Sequence, residues 1–174
     1  MNHPTPLETE VKVRVSSLEE IAQRLEIQGF QLETTAQLEQ SVLWDRGREL
    51  LEKGCALRLR RYAGRAWITW KGAKIEDPLL KIRPEVETSL TDPTAMAQIL
   101  EALGYVPVLT MEKKRALWRR ADLLACLDET PFGCYVELEG EAATIRTAMD
   151  ALGLDVASVE TRSYPSLFRE AGLA

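Results

Sequence analysis

The stretch Glu8-Thr-Glu10-Val-Lys12-Val-Arg14-Val carries a charge at every second position, with Val11, Val13 and Val15 between and after the later ones. Side chains of a β-strand alternate between two faces. The segment is therefore predicted to be a strand with one ionic and one apolar face. The arrangement recurs in Arg58-Leu-Arg60, Arg83-Pro-Glu85-Val-Glu87, Lys113-Lys-Arg115 and Glu137-Leu-Glu139. A single strand of this kind reads as a solvated sheet face. Five of them, with charges of both signs, point to ionic faces that meet around a shared cavity. The apolar faces would then turn outward, under helices.

The rest of the chain supplies those helices and turns. Ser16 and Ser17 before Glu19 and Glu20 make a capping box that opens a helix, and Gly29 stops it. Phe30 to Trp44 reads as a strand with a polar beginning, followed by a turn over Asp45–Arg48. Cys55–Tyr62 and Ala66–Lys71 form a predicted hairpin around Ala63-Gly64. After a loop from Gly72 to Pro78, Leu79–Leu90 is strand-like, and Asp92-Pro93 caps a helix that runs to Leu103. A second hairpin, Val106–Trp118 with Leu123–Glu129, leads through Pro131-Phe-Gly133 into Cys134–Glu139. Helices are predicted from Ala142 to Leu152 and from Pro165 to about Ala171. About eight antiparallel strands with helices outside make an α+β, barrel-like domain over residues 1–174.

Composition narrows the partners. A net charge of −5 argues against general nucleic-acid binding. Cys55, Cys126 and Cys134 form no CxxC pair and are expected to be free thiols in a reducing cytoplasm. Met1 to Leu7 lacks a signal-peptide layout, and no apolar run nears the roughly 20 residues of a membrane span. A cytoplasmic protein without membrane or nucleic-acid partners is expected; a homodimer is compatible with the sequence. His3 receives no catalytic role.

The predicted inward acids are Glu8, Glu10, Glu85, Glu87, Asp128, Glu137 and Glu139; the bases are Lys12, Arg14, Arg58, Arg60, Lys71, Arg83, Lys113 and Arg115. Unpaired charges in a dry core cost several kcal/mol each, so such a cavity must hold water or ions. Carboxylates suit a hard cation such as Mg²⁺ or Mn²⁺. Arginine and lysine suit phosphate oxygens. The two sets together describe a site for a polyphosphate bound with its metal. No GxxxxGK[ST] loop is present to explain phosphate binding otherwise. Trp67 and Trp70 lie on opposite strand faces, so one is expected in the core and the other within reach of a ligand, although packing is the default for both.

These residues carry a resemblance. Glu8-x-Glu10-x-Lys12 on an N-terminal strand is similar to the ExExK signature of the CYTH superfamily, the triphosphate tunnel metalloenzymes. Leu57-Arg58-Leu59-Arg60-Arg61, Thr69-Trp70-Lys71-Gly72, Arg83-x-Glu85-x-Glu87, Lys113-x-Arg115, Leu127-Asp128-Glu129 and Val136-Glu137-Leu138-Glu139 follow in the family's order. The late Ser163-Tyr164 and the compact length look most like the class IV adenylyl cyclase-like branch. The resemblance implies a closed antiparallel β-barrel whose tunnel binds a triphosphate and a divalent metal. It implies metal-binding roles for Glu8, Glu10, Asp128, Glu137 and Glu139, with Glu85 and Glu87 in support. It implies a triphosphate path along Lys12, Arg58, Arg60, Lys71, Arg83, Lys113 and Arg115, of which Lys12, Lys71 and Arg115 take catalytic roles. Arg61 and Lys114 fall on the opposite strand face.

Metal-dependent hydrolysis of inorganic tripolyphosphate or a small organic triphosphate is the leading functional reading. Class IV adenylyl cyclase, in which the ribose 3′-hydroxyl of ATP attacks the α-phosphorus, is the alternative. A non-catalytic polyphosphate sensor is third, since a pure anion binder would gain affinity by losing the carboxylates.

Overall fold

Alternation of charged and apolar residues gives each strand one ionic and one apolar face. In the computed structural model, which describes residues 5–173, eight antiparallel strands form a closed barrel in the order β1-β5-β4-β3-β2-β6-β7-β8. The strands are β1 (Leu7–Val15), β2 (Gln31–Asp45), β3 (Ala56–Tyr62), β4 (Arg65–Lys71), β5 (Lys81–Leu90), β6 (Val106–Arg120), β7 (Leu123–Thr130) and β8 (Gly133–Glu139). Helices α1 (Leu18–Ile27), α2 (Glu49–Glu52), α3 (Pro93–Ala102), α4 (Ala142–Leu152) and α5 (Tyr164–Glu170) join them, with a 3₁₀ turn at Val156–Ser158. His3 lies outside the described residues.

Two of the three apolar clusters lie outside the sheet. Val11, Val13, Val136 and Leu138 pack under α1 and α4, against Ile21, Leu25, Ile145, Met149 and Leu152. Leu57, Leu59 and Ile68 pack under α3, against Met96 and Leu100. Burying a large aliphatic side chain is worth about 1.5–3 kcal/mol, so the barrel is held from its outer face. The middle of the interior is thereby left to the charges.

Helix ends follow the predicted caps. The Ser17 hydroxyl accepts from the Glu20 amide, and the Asp92 carboxylate accepts from the amides of Thr94 and Ala95. At the C-terminus Ser163 caps α5, accepting from the Ser166 amide, so the helix starts one residue before Pro165. The structure departs from the sequence reading at α2 and at the start of β5. The α2 turn, entered through Arg48 at φ 73°, hangs on Asp45, whose carboxylate accepts from the amides of Arg46, Leu50 and Leu51. The Asp45–Arg48 turn is thus built around an acceptor rather than left to solvent. The strand expected from Leu79 begins at Lys81, because the Asp77 carboxylate ties the Leu79 and Leu80 amides into a turn.

α5 covers one end of the barrel. Its Phe168 packs on Leu43, Leu109 and Met111, and stands edge-on to Phe132 in the β7–β8 turn. The β3–β4 and β6–β7 turns lie at the other end, because strands alternate in direction around the ring. Among the described residues no helix is long and apolar enough to cross a membrane.

Candidate active site

The barrel encloses a cavity of about 480 Å³. Glu8, Glu10, Arg58, Arg60, Lys71, Arg83, Glu85, Glu87, Lys113, Arg115, Glu137 and Glu139 all line it. Lys12 and Asp128 lie buried beside it. Arg14 departs from the expected inward set: it is exposed at the end of β1 and donates to the Phe132 carbonyl. Arg61 is exposed, and Lys114 pairs with Glu129 on the surface, as their strand parity requires.

The charges divide into two groups. On one side Lys71 bridges two acids, donating to the Glu8 carboxylate at 2.7 and 2.9 Å and lying 2.6 Å from Glu85. Lys81 pairs with Glu10. Glu10 also stands directly opposite Glu139 in the β1–β8 register, a like-charge pairing that costs stability unless a cation relieves it. Burial, the shared contact with Glu85 and the nearby Glu10 charge push the Glu8 carboxyl up to about 8. Burial and then Glu10 raise Glu139 as well. Burial works against ionisation of Glu10 most strongly, but the Lys81 ammonium, with its hydrogen bond, and Lys71 together hold it below the usual carboxylate range.

On the other side Arg115 grips Asp128 with two parallel bonds of 2.6 Å, and Lys113 donates to the same carboxylate at 3.0 Å. Arg115 also reaches Glu137, and Lys12 lies 3.9 Å from that acid while donating to the Arg162 carbonyl at 2.7 Å. Burial, followed by repulsion from Lys81, lowers Lys12 to about 8. Glu87 is held by Arg60 at 3.2 Å and by the Thr69 hydroxyl at 2.6 Å. Asp128, Glu137 and Glu87, expected among the metal carboxylates or their supports, thus sit in the structure as counter-ions of the bases.

Three participants lie outside the expected set. Glu39 on β2 is buried among Lys113, Arg60 and Arg115 at 3.7–3.8 Å. Burial opposes its ionisation, but these cations win and bring it down to about 2. Lys81 falls two positions before Arg83, in phase with Arg83, Glu85 and Glu87, so strand parity alone would have found it. Tyr164, known to the sequence reading only as part of Ser163-Tyr164, donates its hydroxyl to Asp128 at 2.6 Å. The Lys12 and Lys113 ammonium groups lie 4.2 and 4.0 Å from its ring centre. Buried Nε atoms of Arg58 and Arg60 have no hydrogen-bond partner among the described residues.

Whether these residues suit a divalent ion depends on the acidic side. Glu8, Glu10, Glu85 and Glu139 offer the hard oxygen donors that Mg²⁺ and Mn²⁺ take. Among the described residues no three acids are gathered into a ready-made metal cluster. Lys71 and Lys81 hold Glu8, Glu85 and Glu10 instead. The donor chemistry fits: after burial, it is crowding by neighbouring acids that raises the Glu8 and Glu139 carboxyls, and a bound cation would relieve it.

A closed barrel with opposed acidic and basic walls is the setting in which relatives become informative. The family model for the CYTH domain matches residues 6–164. The chain belongs to the CYTH family. A curated protein of Methanocaldococcus jannaschii named "Putative adenylate cyclase" is 30% identical over 140 residues, covering 80% of this chain and 79% of that one. Among solved structures, a "putative adenylate cyclase" from Vibrio parahaemolyticus superposes with a TM-score of 0.85 at 20% identity, covering 95% of this chain and 99% of that one. A Hippeastrum protein described as a "putative adenylyl cyclase" with "a dominant triphophatase activity" gives a TM-score of 0.69 at 21% identity, covering 94% and 96%. At those identities the two structures speak for the fold, a closed barrel shared with this CYTH chain.

Proposed function

We propose that this CYTH protein is a divalent-metal-dependent triphosphatase that hydrolyses inorganic tripolyphosphate or a small organic triphosphate within its barrel. The observation that carries the reading is the pairing of two unmet needs in one cavity. Arg58 and Arg60 present buried Nε–H donors without acceptors, while the four carboxyls of Glu8, Glu10, Glu85 and Glu139 share only Lys71 and Lys81 among the described residues, with Glu10 directly opposite Glu139. A triphosphate with its metal satisfies both at once. Orthophosphate, a shorter anion, would satisfy fewer of these groups.

In this reading Arg58, Arg60, Lys113 and Arg115 bind the phosphate chain, arginine through paired N–H groups and lysine as a point charge. Arg83, which donates to the Gly72 carbonyl, holds the loop at the cavity edge. Asp128, Glu137 and Glu39 fix the directions of Arg115 and Lys113, so the cations are oriented before substrate arrives. Glu8, Glu10, Glu85 and Glu139 would hold the metal. When bound, the metal supplies charge neutralisation at phosphate oxygens and activation of the attacking water. A cation held by Glu8 and Glu85 would free Lys71 to pair with phosphate oxygens. Phosphoryl transfer asks mainly for positioning and electrostatic stabilisation, which this wall of oriented cations provides.

Class IV adenylyl cyclase activity is the second reading, favoured by the name of the Methanocaldococcus jannaschii relative. The triphosphatase reading is preferred on the activity described for the Hippeastrum protein. One incubation series separates them. Tripolyphosphate, ATP and thiamine triphosphate are each supplied with Mg²⁺ or Mn²⁺, and phosphate, pyrophosphate and cyclic AMP are measured. Phosphate release without cyclic AMP is expected; cyclic AMP with stoichiometric pyrophosphate would reverse the preference, and no product at all would leave a binding module.

A further inference from the structure

One part of the cavity has no use for phosphate. Trp67 on β4 and Leu117 and Leu124 on β6 and β7 line it, each only partly buried. Strands β4 and β7 lie four places apart either way around the ring, so Trp67 and Leu124 come from opposite walls. All three residues lie within four positions of the β3–β4 or β6–β7 turn, the end away from α5. At the α5 end, by contrast, Leu43, Leu109 and Met111 are sealed by Phe168 and buried. Apolar surface left open beside an ionic cavity wall is what an organic ligand covers.

The neighbours of Trp67 say which kind. Trp67 pairs in register with Arg60, whose guanidinium carbon lies 4.8 Å from the indole ring centre. The residue proposed to hold phosphate and the aromatic ring are thus side by side. The cavity volume of about 480 Å³ falls in the range of roughly 300–1,000 Å³ typical of sites for organic ligands. We infer that Trp67, facing Leu117 and Leu124, is a specificity-determining platform for a planar aromatic group carried on the triphosphate. The natural substrate class is then an aromatic triphosphate ester rather than inorganic tripolyphosphate. This rests on the triphosphate reading above and narrows it.

The test uses the whole protein with Ca²⁺ and three probes: ATP, methyl triphosphate and tripolyphosphate, with affinities measured by calorimetry. ATP carries a planar base, methyl triphosphate has the ester without it, and tripolyphosphate has neither. Wild type is expected to bind ATP about tenfold more tightly than methyl triphosphate, the lower part of what base–aromatic stacking provides. Trp67→Leu should remove that advantage while leaving the other two affinities within about twofold, and Trp67→Phe should restore most of it. Leu124→Ser, on the opposite wall, should reproduce a smaller loss confined to ATP. Equal weakening of all three probes in Trp67→Leu would show that the ring acts only by propping Arg60, and would overturn the proposal. So would a selective loss in Leu51→Ser, on α2 at the cavity rim, with Trp67→Leu unaffected. If wild type binds none of the probes, the triphosphate site itself fails; if it binds all three equally, only the aromatic platform does.

Discussion

Tyr164 reaches from the first turn of α5 to donate its hydroxyl to the wholly buried carboxylate of Asp128, at 2.6 Å. Burial, with the charges of Glu137 and Asp128, holds the phenol well above its ordinary pKa, so it remains a donor across the working range. The same carboxylate orients Arg115 and Lys113. The C-terminal helix is therefore tied directly to the cationic wall. Tyr164→Phe removes one of several donors to an ionised acceptor, and a loss of about 1.5 kcal/mol is expected. For a chain of this length that lowers the melting temperature by about 3–6 °C. Thermal melts of the two proteins check it. An unchanged melt would mean that Asp128 is fully satisfied by Arg115 and Lys113 alone.

The two halves of the cavity predict two kinds of damage. Glu10→Gln and Glu139→Gln should weaken Mg²⁺ or Mn²⁺ binding and abolish turnover. Arg60→Ala should instead weaken triphosphate binding by about 1.5–3 kcal/mol, the range for a charge-assisted contact. Calorimetry with metal alone, then with tripolyphosphate, distinguishes them. Equal loss of metal affinity in all three variants would contradict the division.

Glu39 makes the barrel acid-sensitive. Its folded-state pKa, near 2, lies below the ordinary 4.5, so its stabilisation is complete above pH 4.5 and is lost as the pH falls through 2. Glu39→Gln should cost on the order of 1–3 kcal/mol at pH 7 and shrink toward no difference near pH 2. Denaturant titrations at pH 7, 4 and 2.5 measure the gap. A gap that is constant with pH would show that the ionisation of Glu39 contributes nothing.

Much of this arrangement is legible in the residues themselves, for a definable reason. Where one face of a strand is apolar, as with Val11 and Val13 against Glu10 and Lys12, parity dictates which charges go inside. Lys81 obeys the same parity and lies within the predicted strand, escaping only because the charged motif is taken to open at Arg83. Glu39 is different. In the first part of β2 the face opposite Glu39 mixes Leu32, Ala36 and Leu38 with Thr34 and Gln40, and both leucines are exposed, so the interrupted alternation does not single out Glu39 as inward. Only its pairing opposite Lys113 on β6 and Tyr62 on β3 places it there, and that is tertiary information. Tyr164 reaches the cavity because α5 folds over the barrel end, and no local pattern in Ser163-Tyr164-Pro165 encodes that path.

The central claim is that acidic and basic walls wait for a ligand that carries both a chain of phosphates and a divalent ion. Such a ligand binds the folded barrel alone, so at a hundred times its dissociation constant it stabilises by about 2.7 kcal/mol. The direct measurement is a thermal melt with Ca²⁺ and tripolyphosphate beside one with Ca²⁺ and orthophosphate. A rise of about 5–10 °C with tripolyphosphate, and little with orthophosphate, is predicted. Equal shifts with both anions would reduce the cavity to a generic anion patch and contradict the account.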